Sequence, residues 1–399
     1  MSKSKRKVAI FTANRAEYGL QYPIIKAISQ HPKLDYYLFV SGSHLDEKFG
    51  YKKKEIENDG FKVYKEIKGE VKRDDLYSTT QVIGHIIINL SKELKKLEPD
   101  FLVVYGDRFE SLAAVVTGSQ MGIPVAHIEG GDVTEGGALD DYARHAMTKL
   151  SHIHFTTNKE ATKRVGKFGE EKWRIHNVGY PSIDLIKKGK FATLEEIKKK
   201  VPIDEDKPII VFTQHSVTTE LKDASNQIKP SIQALKYFAK KGLQVIITYP
   251  NNDAGGLAII KEIDKLKSIE NISVIPYLGR HIYHGVLKIC GKKGVCVGNT
   301  SSGIKETPAF GCPFVNIGSR QRRRLRSCNV IDVGYKKDEI IKAIEKSLYD
   351  KEFRKICKNC KNPYGKGQAG EEIAKVLSEV KIDKNLIQKK NTYWGYLWN

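Results

Sequence analysis

Three blocks in the first half of the chain set carboxylates beside glycines and apolar runs. Asp107 lies in VVYGDRFE, Glu129 in VAHIEGGD, and Asp140 and Asp141 in ALDDYARHAMTK. Acids in such settings serve as general acids and bases. FLVVYG (101–106) and IPVAHI (123–128) read as short buried strands, with FESLAAVVTGSQMG between them as a crossover helix. Parallel strands joined by a helix end on the same edge of a sheet. Asp107 and Glu129 are therefore expected together at the carboxyl edge, where α/β proteins place ligands. In ALDDYARHAMTK, helical spacing puts Asp140 over Arg144 and Asp141 over His145. An ordinary ion-paired helix would show the same pattern, but the glycines of EGGDVTEGG just before it allow close backbone approach to a ligand.

Further candidates follow strand ends. TANRAEYGL (12–20) opens the first helix, and Arg15 there would stand near free helix amides, an anion site or simply a surface arginine beside a cap. No G-x-G-x-x-G accompanies it, so a dinucleotide fingerprint is not supported. His215 in VFTQHSVTTE stands just past a strand, either structural or functional. VGNTSSGIKETPAFGCP (297–313) reads as strand, small polar loop and helix start. Thr300, Ser301 and Ser302 with free amides suit a phosphate, or a plain N-cap, and Glu306 one turn on suits a ribose diol. Arg320, in VNIGSRQ, is placed for a second phosphate contact.

The elements that must position these residues alternate between strand and helix, the pattern of parallel sheets covered by helices. KVAIFT (7–12), YYLFVSG (36–42), FKVYKEI (61–67), FLVVYG, IPVAHI and HIHFTT (152–157) form one set of strands. IIVFT (209–213), LQVIITY (243–249), ISVIPY (272–277), GVCVG (294–298), CPFVNIG (312–318) and NVIDVG (329–334) form a second. The polar stretch TLEEIKKKVPIDEDKP reads as the linker between two α/β halves, and a ligand is expected in the cleft between them. The expected domains are 1–188, carrying the acids, and 189–368, binding nucleotide. A tail of 383–399 is either mobile or docked by its tryptophans.

Composition narrows the class. A chain of 399 residues with 40% apolar content supports two ordinary domains and no membrane span. The basic start, MSKSKRKVAIFT, lacks the long apolar region of a signal peptide. The six cysteines show no disulfide framework, and Cys357 and Cys360 form a lone C-x-x-C without a second pair at zinc spacing, which fits a reducing cytoplasm and no metal. The net charge of +21 comes from lysines scattered on helix faces, with one dense cluster, RQRRRLR (320–326). With no aromatic interleaving, nucleic acid is not an expected partner.

Taken together, GDR, HIEGG, DDYARHAMTK, the post-strand histidine, GNTSSGIKETPAFGCP, VNIGSRQ and KNPYGKG (361–367) resemble the hydrolysing UDP-N-acetylglucosamine 2-epimerases, over about residues 7 to 380. The resemblance implies a GT-B-like α/β fold of two Rossmann-like domains, a C-terminal helix (369–382) crossing back to the first domain, a homo-oligomer (dimer or tetramer), a nucleotide-sugar substrate and no cofactor. It assigns Asp107, Glu129, Asp140 and Asp141 as catalytic acids, His215 as the second-domain histidine at the pyrophosphate, and Arg15, Thr300, Ser301, Glu306 and Arg320 as nucleotide contacts. Arg108, Arg144 and His145 match motif positions. Two departures stand out. Arg323 replaces a glycine frequent in the family's R-Q-x-G-R run, which would strain a left-handed backbone there. The acidic loop EGGDVTEGGALDD is long, as in the branch acting on diacetamido-bacillosamine nucleotides in legionaminic acid synthesis.

The chemistry that this implies starts with cleavage of the C1–O bond, whose developing charge acidifies the C2 proton. A carboxylate removes that proton to leave a glycal, and water adds back with C2 inverted. A nucleoside diphosphate leaves readily, so no metal is demanded. Non-hydrolysing 2-epimerases carry G-T-R-P-E and H-V-E-A-G-L-R where this chain has TANRAEY and HIEGGDV, which favours hydrolysis. A GT-B glycosyltransferase would explain GNTSSGIKE but not the three acidic motifs, and a non-catalytic nucleotide-sugar sensor would not need the acids.

Overall fold

Runs of Val, Ile, Leu and Phe that are apolar on both faces can satisfy their backbone only inside a sheet covered on both sides, and parallel sheets are built from such runs. In the computed structural model, which describes residues 5–45, 53–69, 76–133, 138–217, 220, 223–250 and 255–392, these runs form two sheets. The first contains β1 (Arg6–Thr12), β2 (Leu34–Val40), β3 (Val63–Glu66), β4 (Phe101–Tyr105), β5 (Val125–Ile128), β6 (Ile153–Thr156) and β7 (Ile175–Asn177). Its order is β3-β2-β1-β4-β5-β6-β7, with every pairing parallel. The second contains β8 (Ile209–Thr213), β9 (Gln244–Ile247), β10 (Ile272–Val274), β11 (Gly294–Gly298), β12 (Phe314–Ile317) and β13 (Val330–Val333). Its order is β10-β9-β8-β11-β12-β13, again all parallel. Both are doubly wound sheets of the kind from which a GT-B-like protein is made. Each reverses strand order once, between β1 and β4 and between β8 and β11, and such switch points open a crevice at the carboxyl edge.

The chain forms two units. One comprises Met1–Asp132, Leu139–Asp184 and Gly365–Asn399; the other comprises Val133–Ala138 and Leu185–Tyr364. The helix Ala369–Glu379 packs in the first unit's core, where Ile373, Ala374 and Leu377 join Ile10, Ile24 and Ile28. Gly370 permits this approach: a Cβ there would stand 2.5 Å from the Pro23 carbonyl oxygen. The carboxylate of Asp184 accepts from the Ala369 and Gly370 amides at 2.9 and 2.8 Å, capping that helix.

Two sequence expectations are corrected. The polar stretch read as a linker contains a helix, Leu194–Lys198, whose Thr193 and Glu196 form a reciprocal capping box. Ile197 is buried, and the Ala192 amide donates to the His281 carbonyl, so this stretch is part of the second unit. The first sheet also has a seventh strand, β7, whose three residues IHN are too few and too polar to show a strand period. The tail is docked as far as Thr392, whose amide donates to the Gly169 carbonyl at 3.0 Å. The tryptophans at 394 and 398 lie outside the described residues.

Candidate active site

At the carboxyl edge of the first sheet, Tyr105 pairs with Ile128, which brings the residues just beyond β4 and β5 side by side. Asp107 and Glu129 are those residues. Glu129 turns sharply, at φ 68°, in the left-handed region that a non-glycine residue seldom occupies. Its amide is held by the Phe155 carbonyl at 2.8 Å, so the neighbouring strand fixes the turn. Backbone held in such a conformation concentrates at functional sites.

Arg144, on the helix Ala138–Leu150, gathers the acids. It is 1% exposed and pairs with the Asp107 carboxylate. Its other nitrogens stand 4.0 Å from Glu129 Oε1 and 4.0 Å from Asp141 Oδ1, and it donates to the Glu129 carbonyl at 3.1 Å. Burial alone would lower its pKa, but Asp107, Glu129, Asp132 and Asp141 raise it, so the guanidinium stays charged. The contacts differ from the i,i+4 spacing noted in the sequence. Arg144 reaches back three residues to Asp141, and His145 packs edge-on against Phe168 at 4.8 Å. The reason is tertiary: with Asp107 and Glu129 on one side, Arg144 must turn inward. His145 has a lowered pKa, first from burial and then from Arg144 and Arg164. Asp140 is half-buried in the first turn of the same helix. Arg108 stands at the N-cap position of the helix Phe109–Gln120, with Nε 3.4 Å from Glu110.

Arg15 opens the helix Arg15–Gln30 behind Asn14, whose side chain accepts from the Glu17 amide at 3.0 Å. The side chain of Arg15 lies outside the described residues, as do residues 134–137 of the acidic loop.

Sequence reasoning missed two residues of this edge. Glu17 is buried and accepts from Gln21 at 2.6 Å. Burial, then the charge of nearby Glu110, raises its pKa well above the ordinary carboxylate value. His127 is fully buried. Its Nε2 donates to the Gly106 carbonyl at 2.8 Å, and its Nδ1 lies 3.3 Å from the Thr148 hydroxyl on the helix that carries Arg144. Burial pushes His127 down to about 3 despite the Gly106 bond. It is therefore a neutral brace between the Asp107 turn and the acid helix. Only its place one residue before the Ile–Glu pair hinted at a role.

The second unit collects the other candidates at its own switch point, around a further residue that was missed. Asn299 is 1% exposed. Its Oδ1 accepts the His215 amide at 2.7 Å, and its Nδ2 donates to the His215 carbonyl at 2.9 Å. Its own carbonyl receives Arg320 at 3.3 Å and Gln321 at 2.8 Å. One side chain thus fixes His215 beyond β8, and one carbonyl fixes Arg320 beyond β12. The preceding residue must be Gly298: at φ 131°, a Cβ there would stand 1.8 Å from the Thr213 carbonyl oxygen.

Thr300 caps the short helix Ser301–Lys305 by accepting from the Ser302 amide at 3.3 Å, and Ser301 is half-buried in its first turn. Glu306 is buried, bonded by the Ser302 hydroxyl and 3.4 Å from His284 Nε2. Arg323 does adopt the left-handed conformation, φ 60°, that glycine would take more easily. In the same basic cluster, Arg326 engages the Asp332 carboxylate.

The chain matches known proteins in sequence and in fold. The chain is 32% identical to the UDP-N,N'-diacetylbacillosamine 2-epimerase (hydrolyzing) of Legionella pneumophila, over 97% of this chain and 100% of that one. It is 34% identical to the GDP/UDP-N,N'-diacetylbacillosamine 2-epimerase (hydrolyzing) of Campylobacter jejuni, over 88% of this chain and 89% of that one. The crystal structure of UDP-GlcNAc 2-epimerase from Neisseria meningitidis bound to UDP-GlcNAc shares the fold, with a TM-score of 0.80 at 20% identity, covering 94% of this chain and 100% of that one. The family model described as UDP-N-acetylglucosamine 2-epimerase matches residues 26–378. The chain belongs to the UDP-N-acetylglucosamine 2-epimerase family.

Proposed function

We propose that this protein is a hydrolysing nucleotide-sugar 2-epimerase, and that its substrate is UDP- or GDP-N,N'-diacetylbacillosamine. The observation that carries the chemistry is the set of carboxylates Asp107, Glu129 and Asp141 drawn around the buried Arg144 at one sheet edge. The charged Arg144 guanidinium stands among these carboxylates, whereas burial and the charge of Glu110 raise the pKa of Glu17. Carboxyl groups set in contrasting environments, one beside a fixed cation and one buried, are the kind of arrangement that paired acid and base work uses.

In the first step, one of the edge carboxylates takes the C2 proton as the C1–O bond breaks. That bond's electron pair leaves with the nucleoside diphosphate, and a C1–C2 double bond forms. In the second step, water adds its oxygen to C1, and a proton reaches C2 from the opposite face. The product is the free sugar inverted at C2, a precursor for legionaminic or sialic acid synthesis. His215, Thr300, Ser301, Glu306 and Arg320 hold the nucleotide in this reading, with Arg15 as the first unit's phosphate contact. Asp140 joins the acids, and Arg108 and His145 complete the charged edge.

The diacetamido sugar is favoured by the names of the Legionella and Campylobacter relatives and by the long acidic loop. A second reading, UDP-N-acetylglucosamine to N-acetylmannosamine, is supported by the name of a Neisseria meningitidis relative, UDP-N-acetylglucosamine 2-epimerase, 32% identical over 86% of this chain. A site that bonds hydroxyls discriminates strongly against analogues lacking them, so kcat/KM on the two substrates separates the readings. The assay runs in deuterated water, with NMR of the released sugar. Deuterium at C2 of a free 2-epimer is expected. A product without label at C2, or return of an intact nucleotide sugar, overturns the hydrolytic elimination.

A further inference from the structure

The second unit holds a hollow of about 820 Å3 that none of the candidate nucleotide residues lines. Six lysines face it: Lys187, Lys288, Lys292, Lys351, Lys355 and Lys358. Among the described residues none of the six is in an ion pair, and no aspartate or glutamate lines the hollow. Arg354 joins them, but its guanidinium is committed to the carbonyls of Gly291, Lys292, Gly294 and Ser347 at 2.8 to 3.1 Å. Lysines do gather at helix C-termini, and two helices, Arg280–Lys293 and Lys351–Lys358, end here. Those two ends supply roughly one unit of negative partial charge between them. Arg354 already answers the first of them, which leaves the six ammonium groups well in excess.

The hollow lies at the amino edge of the second sheet. Lys292 stands two residues before β11 begins, and Phe310 stands four before β12 begins. Asn299, Thr300 and His215 stand at the carboxyl edge, and five residues of β11 separate the two edges by about 17 Å. The two places are nevertheless connected. Phe310, in the hollow's wall, packs on His284 with ring centroids 5.9 Å apart, and His284 Nε2 is 3.4 Å from the Glu306 carboxylate. Asn362, also in the wall, donates to the Lys305 carbonyl at 2.9 Å, at the end of the helix that Thr300 caps.

We propose that this hollow is a second anion site, for a small molecule bearing two or more phosphate groups, and that its occupation alters nucleotide affinity at the carboxyl edge. The coupling half rests on the reading of that edge as the nucleotide site; the binding half does not. A single carboxylate would leave most of the six ammonium groups unanswered, whereas compact ammonium charges on converging elements match the charge density of linked phosphates. Pro308 and Phe310 supply an apolar wall against which the rest of such a molecule rests.

The test uses inorganic tripolyphosphate as the probe, titrated calorimetrically into the full chain at ~0.15 M salt, where loose surface attraction is screened, with UDP present at saturation. One equivalent is expected to bind. The Lys288→Glu/Lys355→Glu variant should lose affinity by about tenfold or more, while Lys33→Glu/Lys62→Glu, with the same change of net charge on exposed lysines of the first unit, stays within about twofold. Loss of the signal when UDP is added overturns the proposal, as do an equal loss in the control variant and the absence of saturable binding. In the wild type, tripolyphosphate should shift UDP affinity by about threefold or more, with the shift gone in the hollow variant. An unchanged UDP affinity overturns the coupling. Should UDP not bind at all, the nucleotide reading falls, and tripolyphosphate binding that is lost only in the hollow variant still supports the site.

Discussion

The two sheet edges solve the same problem with different materials. In the first unit the candidate site is ionic: three carboxylates from three chain segments converge on one buried arginine, with a neutral histidine bracing the turn that carries Asp107. In the second unit it is made of backbone: Asn299 holds the His215 peptide on both sides, and its carbonyl ties down Arg320 and Gln321. The first arrangement suits moving protons, because it gathers several carboxylates around one fixed positive charge. The second suits gripping a rigid, highly charged nucleotide, because it sets the shape of the loop. The difference implies that charge-changing substitutions act on turnover in the first unit, and that shape-changing ones act on affinity in the second.

The largest expected effect tests the ionic side. Asp107→Asn and Glu129→Gln each keep size and lose charge, and each should lower turnover by roughly 10²–10⁴-fold. Nucleotide affinity, measured by calorimetry, should stay within about twofold. Turnover near that of the wild type in either variant removes that residue from the chemistry. Arg144 comes next. Arg144→Met leaves three carboxylates crowded without their cation, and breaking a buried pair in this way costs about 3–5 kcal/mol, read as a lower denaturant midpoint. Arg144→Lys should recover little of this, since one ammonium cannot replace a planar fork facing several acids. A loss below about 1 kcal/mol in Arg144→Met would show that the acids do not depend on it.

The same contrast explains what was legible in the sequence. Strands end where apolar β-branched runs meet glycine, so the carboxyl edge and the placement of Asp107, Glu129, His215 and Thr300 along it could be read directly. The alternation of strand and helix gave both doubly wound sheets. Contacts that depend on folding could not be read. Helical spacing puts Arg144 on one face with Asp140, but its partners Asp107 and Glu129 lie 37 and 15 residues away and turn it toward Asp141. Asn299 was hidden for the opposite reason: its side chain serves backbone atoms, which leave no trace in residue types. The left-handed backbone at Arg323 shows the limit of a glycine rule, since surrounding structure can hold an ordinary residue there at a cost of about 1–3 kcal/mol.

The backbone side is tested by Asn299→Ala. Two hydrogen bonds to the His215 peptide are lost, each worth about 0.5–1.5 kcal/mol, so nucleotide affinity should fall roughly tenfold. Asn299→Asp keeps the acceptor for the His215 amide but not the donor to its carbonyl, and should fall between the two. An unchanged Kd in Asn299→Ala would mean that the loop keeps its shape without that side chain, and the comparison between the units would lose its second half.

The smallest effect sharpens the first half. If the acid site is an ionic assembly held by long-range ties, a tie far from it should matter there and nowhere else. Lys389, in the C-terminal tail, donates to the carbonyls of Lys149 and Ser151 at 2.7 Å each, at the end of the helix that carries Arg144, and to buried Glu170 at 2.8 Å. Burial alone would raise the Glu170 pKa, but the bond from His154 and those from Lys149 and Lys389 hold it down at about 2, against 4.5 for an ordinary glutamate. A carboxyl with a depressed folded-state pKa stabilises the fold fully above the unfolded value and loses that contribution as pH falls through the folded one. The wild-type tail contact should therefore hold at neutral pH and weaken progressively between about 4.5 and 2. In Lys389→Ala one of the three donors is gone, so the folded-state pKa of Glu170 rises toward the ordinary value, the contribution is smaller and its loss is complete at higher pH, and thermal unfolding followed from pH 6 downward is the measurement that shows it. At neutral pH the variant should lose about 1 kcal/mol and at most roughly fivefold in kcat, with nucleotide Kd unchanged. Lys389→Arg, which keeps the charge, should restore the acid profile. A change in Kd as large as the change in kcat would mean that the tail supports the whole fold rather than the acid helix, and the ionic site would then be no more dependent on distant ties than the backbone-built one.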